Sequence, residues 1–283
     1  MYNKTASFIQ ADGFRLKVIE QGQGPTLLII GSADYYYRIM PNDIYQHFYC
    51  VFIDHRGFAH CERPVHLHDV SLEQISKDVE RACSQLDIEP CWVMGHSGHA
   101  YMALDFAYRF PTRVKGCALI GAAPSLSEEM RTLQMANWQR HACQDRKTAF
   151  EKSIALLAGD IQLEPDRKFA HLCRRLGPMR WFNPNFDELP LWQDIPMHTA
   201  LLDKLWGNDF AHLDISTYTQ SIVVPVLALG GLQDFSIAPL SAWSDIHLPF
   251  PNINLVSLPE CGHTPMLEQP DDFISILRDF VNH

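Results

Sequence analysis

Gly95-His96-Ser97-Gly98-His99 follows the apolar run Cys91-Trp92-Val93-Met94 and precedes the stretch from Ala100 to Arg109. A short continuous apolar run reads as a strand covered on both faces, and the apolar periodicity after it reads as a helix. The pentapeptide between them is a strand-to-helix turn. Such a turn, when tight and strained, lifts a serine oxygen clear of the sheet, and it favours small residues two positions either side of the serine. Gly95 meets that need, whereas His99 stands where the common pattern has glycine. A Gly/Ser-rich turn without chemistry fits the pentapeptide alone, so its surroundings decide.

Upstream, Phe8 to Val18 reads as an antiparallel pair turning at Ala11-Asp12-Gly13, and Thr26 to Ile30 and Tyr49 to Ile53 read as short apolar strands. Ser71 to Leu86 has helical spacing (Leu72, Ile75, Val79, Ala82, Leu86), with Ser71 as N-cap. Val114 to Ile120 is a further strand. Apolar strands alternating with helices imply a mostly parallel sheet with helices on both faces. That alternation stops after Gly121-Ala122-Ala123-Pro124 and resumes at Val223 to Leu229, followed by a strand over Asn254 to Leu258 and a helix over Asp271 to Val281. The expected organisation is an α/β core domain over 1–124 and 215–283, interrupted by a helical cap over 125–214.

Two further positions bear on Ser97. Gly230-Gly231-Leu232-Gln233-Asp234 places an acid past the end of the resumed strand, and Pro259-Glu260-Cys261-Gly262-His263-Thr264-Pro265 places a histidine in the last loop. Separately, Asp234 could be a turn cap and His263 a solvated loop residue. The order Ser97, Asp234, His263, all at one sheet edge, is the order of a Ser-Asp-His triad on an α/β sheet. Ser97 would attack, His263 would take and return the proton, and Asp234 would hold the imidazole tautomer. The backbone N–H of Gly98 is the first expected oxyanion donor, and that of Ser32, after the strand ending at Ile30, the second. The Ser32 hydroxyl could add a donor or cap the next segment.

Charge and composition narrow the alternatives. The chain has 283 residues, 47% of them hydrophobic, with 23 Lys plus Arg against 33 Asp plus Glu. This balance offers no basic surface for nucleic acid. The start, Met1 to Thr5, leads into a polar stretch with no signal-like apolar region, and no run is long enough to span a bilayer. A cytoplasmic location is expected, with eight scattered cysteines held as reduced thiols. No metal ligand cluster and no phosphate-cradling glycine motif is present in the sequence, so no metal, nucleotide or flavin cofactor is expected. The expected partner is a small-molecule substrate; nothing in the chain sets an oligomeric state.

These motifs, together with Asp54-His55-Arg56-Gly57-Phe58 (similar to a DxRGxG segment), resemble the α/β-hydrolase superfamily over roughly residues 26–123 and 220–283. The resemblance implies a serine hydrolase of the α/β-hydrolase fold, working through an acyl-enzyme on a small ester, amide or lactone-like substrate. Leu229 to Trp243 and Gly262 to Pro270 look like the prolyl-aminopeptidase-like branch, which implies a proline-iminopeptidase-like activity as the alternative. Against that branch, the His-Gly-Gly-Pro loop is missing, and Ile30-Gly31 stands where relatives carry His-Gly. Serine at the elbow, where haloalkane dehalogenases and epoxide hydrolases carry a carboxylate nucleophile, argues against those branches. A non-catalytic ligand-binding protein on the same fold is the reading from another class.

His96 is expected to pack, His99 to line or order the elbow, and Asp54 and Arg56 to hold a loop. Tyr35, within Tyr35-Tyr36-Tyr37, and Trp181 join His99 as pocket candidates. Trp138, Phe182, Trp192 and Trp206 could form an acyl pocket or the core of the cap. Glu128, Glu129, Glu164, Asp187 and Glu188 could grip a substrate amine, although acids on a helical cap are by default solvated.

Overall fold

The computed structural model describes residues 3–247 and 249–282, so the reading of Met1 and Tyr2 lies outside the described residues. Nine strands form one sheet: β1 (Thr5–Ala11), β2 (Phe14–Gly22), β3 (Thr26–Gly31), β4 (Tyr49–Asp54), β5 (His60–Cys61), β6 (Cys91–His96), β7 (Val114–Ile120), β8 (Val226–Gly231) and β9 (Ile253–Leu258). The order is β1-β2-β4-β3-β6-β7-β8-β9, with β5 pairing β2. Every pairing from β4 to β9 is parallel, and β1, β2 and β5 form the antiparallel margin. The chain therefore has the mostly parallel α/β architecture that the apolar strands imply.

The central strands are apolar on both faces because both faces are covered. In β3, Leu28 and Ile30 join one buried cluster while Leu27 and Ile29 join the other; in β4, Val51 and Ile53 part from Cys50 and Phe52 in the same way. This is the two-residue period of a pleated strand. One layer holds α2 (Leu72–Gln85) and α3 (His99–Arg109), through residues such as Val79 and Leu104; the other holds α1 (Ala33–Ile39) and a C-terminal helix over Pro270–Asn282, through Ile39 and Leu277. Ser71 caps α2 as its position suggested, its side chain accepting the N–H of Gln74 at 3.1 Å.

Between β7 and β8 the described chain contains helices and no strand. These are α4 (Glu128–His141), α5 (Gln144–Ile154), α6 (Leu157–Leu163), α7 (Lys168–Arg175), α8 (Gly177–Arg180), α9 (Thr199–Lys204) and α10 (Ser216–Thr219). Strand β8 starts at Val226 and not at Val223, a correction with a local cause. Pro225 cannot donate to a ladder, and Val223 is left largely exposed. After β9 come α11 (Pro265–Glu268) and α12 (Pro270–Asn282). No helix among the described residues is long and apolar enough to cross a membrane.

Candidate active site

The carboxyl ends of β6, β8 and β9 bring Ser97, Asp234 and His263 to one edge of the sheet. Ser97 follows β6 directly and adopts φ +58°, a left-handed conformation that costs a non-glycine residue energy. The turn is held by the Ser97 N–H, which donates to the Ile120 carbonyl at 2.8 Å, and by the Ser97 carbonyl, which accepts the Ala100 N–H at 3.0 Å as α3 begins. A Cβ at residue 95 would lie 2.2 Å from the His99 carbonyl oxygen, so only glycine fits there. His99 is accommodated on the other side because Gly31 leaves room. A Cβ on Gly31 would stand 2.2 Å from the Tyr36 ring and 3.2 Å from the His99 ring.

His263 lies in the loop between β9 and α11 and is fully buried. Its Nδ1 is 2.6 Å from Asp234 Oδ2. The other carboxylate oxygen, Oδ1, accepts the Ser236 N–H at 2.9 Å and the Ser236 hydroxyl at 2.6 Å. An imidazole donating from Nδ1 to a carboxylate carries its lone pair on Nε2. His263 Nε2 is buried and has no hydrogen-bond partner among the described residues. The loop is fixed by its backbone: the His263 N–H donates to the Arg180 carbonyl at 2.5 Å, and its carbonyl accepts His96 Nε2 at 2.8 Å.

Ser97 and His263 line the same cavity of about 130 Å³, walled by His99, Tyr35, Tyr36, Phe169, Trp192, Trp206 and Arg180 among others. A more open groove of about 600 Å³ lies among α5, α7 and α8 and is lined by none of Ser97, Asp234 and His263. His99 and Tyr35 are pocket residues, as expected. Trp181 is not, which is a correction: its ring packs on Phe186, and its indole N–H donates to Glu188 at 2.6 Å. The indole that reaches the cavity from this region is Trp192, stacked on Tyr35 at 4.0 Å between ring centroids. Trp138 instead packs with Phe150 and Phe235, away from the cavity.

Burial disfavours a charge on the two histidines that flank Ser97. His99 Nδ1 is 2.7 Å from the Tyr36 hydroxyl, and burial pushes its pKa down to about 3. Burial, reinforced by the neighbouring His263, holds His96 well below the usual imidazole range. Asp54 accepts the N–H groups of Ala33 at 2.7 Å and Lys17 at 3.2 Å. Arg56 grips Asp78 at 2.6 Å and Asp12 at 2.6 Å. Both brace loops, as their positions suggested. The Ser32 hydroxyl caps α1 by accepting the Tyr35 N–H at 3.4 Å. Among the described residues, the amides of Ser32 and Gly98 donate to no backbone or side-chain acceptor.

None of the five acids offered as amine grips lines the cavity. Glu128 and Glu129 are exposed, Glu164 meets His171 at 2.9 Å, and Asp187 meets Arg174 at 2.9 Å. Glu188 is fully buried and paired with Arg180 at 3.0 Å. Among the residues at the site that escaped the sequence reading are Phe169, Arg180, Ser236 and Glu268. Glu268 accepts the N–H groups of Phe182, Thr264 and Gly262 at 2.7, 2.9 and 3.1 Å, tying the His263 loop to the segment after α8. For Ser236 a signal existed, because Asp-x-Ser is a common side-chain-to-backbone turn. For Arg180 there was none. No group of three or more His, Cys, Asp or Glu that could hold a metal occurs among the described residues.

Comparison with known proteins agrees with this architecture. A family model described as the alpha/beta hydrolase fold matches residues 28–270. The chain is 35% identical over 277 residues to the AB hydrolase superfamily protein YclE of Bacillus subtilis (strain 168), covering 98% of this chain and 99% of that protein. It is 22% identical to a pimeloyl-[acyl-carrier protein] methyl ester esterase of Vibrio vulnificus (strain YJ016), covering 92% of this chain and 96% of that one. Among solved structures it is similar to an esterase from Exiguobacterium antarcticum, with TM-score 0.70 at 17% identity, over 99% of this chain and 100% of the other.

Proposed function

The chain belongs to the α/β-hydrolase fold family and is an α/β-hydrolase-type enzyme; from that premise we propose that it is a serine hydrolase cleaving a small ester, amide or lactone-like substrate through Ser97, His263 and Asp234. One observation carries the reading. His263 Nδ1 is committed to Asp234 at 2.6 Å, and Nε2, which pairs with neither Ser97 nor any other described residue, is left for proton transfer in a residue that lines the same cavity as Ser97. Ester cleavage is the reaction named for the Vibrio vulnificus relative, and it is the reaction class we carry over.

In the proposed cycle the Ser97 hydroxyl attacks the acyl carbon while His263 Nε2 takes its proton. The tetrahedral oxyanion is held by the amide N–H groups of Gly98 and Ser32. Asp234 keeps the imidazole oriented and offsets its positive charge. His263 then protonates the leaving group, and water, deprotonated by the same nitrogen, releases the acid and restores Ser97. We assign residues 125–214 the role of a cap over this site, because Phe169, Arg180, Trp192 and Trp206 from that segment close the cavity. A proline-iminopeptidase-like activity would need an acid facing the substrate amine, and the cavity wall carries Arg180 in place of one.

Labelling with a fluorophosphonate probe tests the reading. The wild-type chain should label and Ser97→Ala should not. A folded wild-type protein that binds small ligands yet neither labels nor hydrolyses any ester would instead be the ligand-binding reading of this fold.

A further inference from the structure

Arg180 closes α8 and contributes to the cavity wall beside Ser97 and His263, yet the proton-transfer chemistry gives it no task. It is the one lining side chain with a permanent charge, set among aromatic and aliphatic groups such as Phe169, Leu172 and Trp206. Only 7% of the residue is exposed. Burying a guanidinium in such a place is costly unless its donors are met. Half of the answer is Glu188, which is fully buried and whose carboxylate accepts Arg180 Nε at 3.0 Å. The same carboxylate accepts the indole N–H groups of Trp181 at 2.6 Å and Trp192 at 3.0 Å.

This arrangement uses one edge of the guanidinium and not the other. Glu188 could have taken a two-point grip, but its second oxygen goes to Trp192. The two terminal nitrogens of Arg180 donate to no group among the described residues, while Arg180 faces the cavity. Two indoles and a carboxylate thus hold a cation in a fixed pose, with a fork of N–H donors left for a guest. A planar fork matches a carboxylate in a two-point contact, the geometry in which arginine binds most strongly.

We infer that the outer edge of Arg180 is a carboxylate-binding subsite, and that the substrate is an acyl compound carrying a carboxylate remote from the scissile bond. The assignment of that carboxylate to a substrate rests on the reading of Ser97 as the nucleophile. Glu188 is then a positioning residue, since it acts only through Arg180.

The test compares methyl hemiesters of succinic, glutaric and adipic acid with methyl esters of the matching monoamides, which keep the shape and lose the charge. Methanol release by the wild-type enzyme should favour the hemiester at one chain length by at least roughly tenfold in kcat/KM. In the double variant Arg180→Gln/Glu188→Gln, which removes both buried charges together and leaves neither orphaned, that preference should fall to about one. Equal rates for acid and amide at every length overturn the inference, and so does a preference that survives in the double variant. Titration calorimetry with succinate, glutarate and adipate separates this from the nucleophile reading. If no ester is hydrolysed, dicarboxylate binding that disappears in the double variant sustains the subsite and removes Ser97 as nucleophile. An absence of binding removes the subsite.

Discussion

The backbone carbonyl of Arg180 accepts the N–H of His263 at 2.5 Å. One residue of α8 therefore holds the loop that carries the imidazole and also lines the cavity. The far side of the same loop is held by His96, through the His263 carbonyl at 2.8 Å. The backbone of His263 is thus held both from the sheet edge and from α8.

Ser236 should matter more than a loop serine usually does. Its hydroxyl donates to Asp234 at 2.6 Å and sits 3.2 Å from His263 Nδ1. Ser236→Ala removes one of the bonds that orient the carboxylate, and kcat for ester hydrolysis should fall about tenfold, as for loss of a ~1.4 kcal/mol interaction. Asp234→Asn, which offers the imidazole the wrong partner, should lower kcat far more, by about 10⁴-fold. Steady-state kinetics with KM resolved from kcat checks both, and equal losses in the two variants would contradict this division of roles.

Glu268 joins Phe182, Thr264 and Gly262 through three N–H groups. Glu268→Ala leaves these donors without their acceptor, at a cost of about 1–3 kcal/mol. Urea unfolding should show that loss as a lower midpoint at unchanged slope. Glu268→Gln keeps an acceptor oxygen and should lose less.

His99 predicts a pH dependence of stability. Its pKa in the folded chain is pushed down to about 3 by burial, whereas in the unfolded chain it is near 6.5. Between those values the unfolded state binds more protons than the folded one, so stability rises with pH through the window and is lost on acidification. Each unit below about pH 6 should cost roughly 1.4 kcal/mol through this residue. Unfolding free energies measured from pH 6 to pH 4 should therefore decline less steeply in His99→Gln than in the wild-type chain. Parallel slopes would show that His99 is already protonated in the folded state.

Gly95→Ala should abolish the elbow, since the new Cβ would sit 2.2 Å from the His99 carbonyl oxygen. Backbone must move, and strain of this kind costs a few kcal/mol. Fluorophosphonate labelling should be lost even where circular dichroism shows a folded sheet, because the shift is centred on the turn that presents Ser97.

Much of this molecule could be read from local chemistry. The strands are short apolar runs whose alternate residues serve two faces, and the turn at Ser97 announces itself through Gly95 and its neighbours. Because a parallel sheet delivers successive loops to one edge, the order Ser97, Asp234, His263 along the chain already implied their meeting. The inserted segment resisted the same treatment. In α4, a helix of 14 residues, only Met130 and Trp138 are buried, so hydrophobic spacing says little about which face turns inward. Trp181 and Trp192 look alike in the sequence, yet one packs on Phe186 and the other walls the cavity. Both indoles donate to the buried Glu188, which also holds Arg180, so they differ in what their rings meet: Phe186 for Trp181 and Tyr35 for Trp192. Strand periodicity and turn chemistry act between near neighbours and are written in the chain, whereas the direction in which Arg180 points depends on groups that only the tertiary fold assembles.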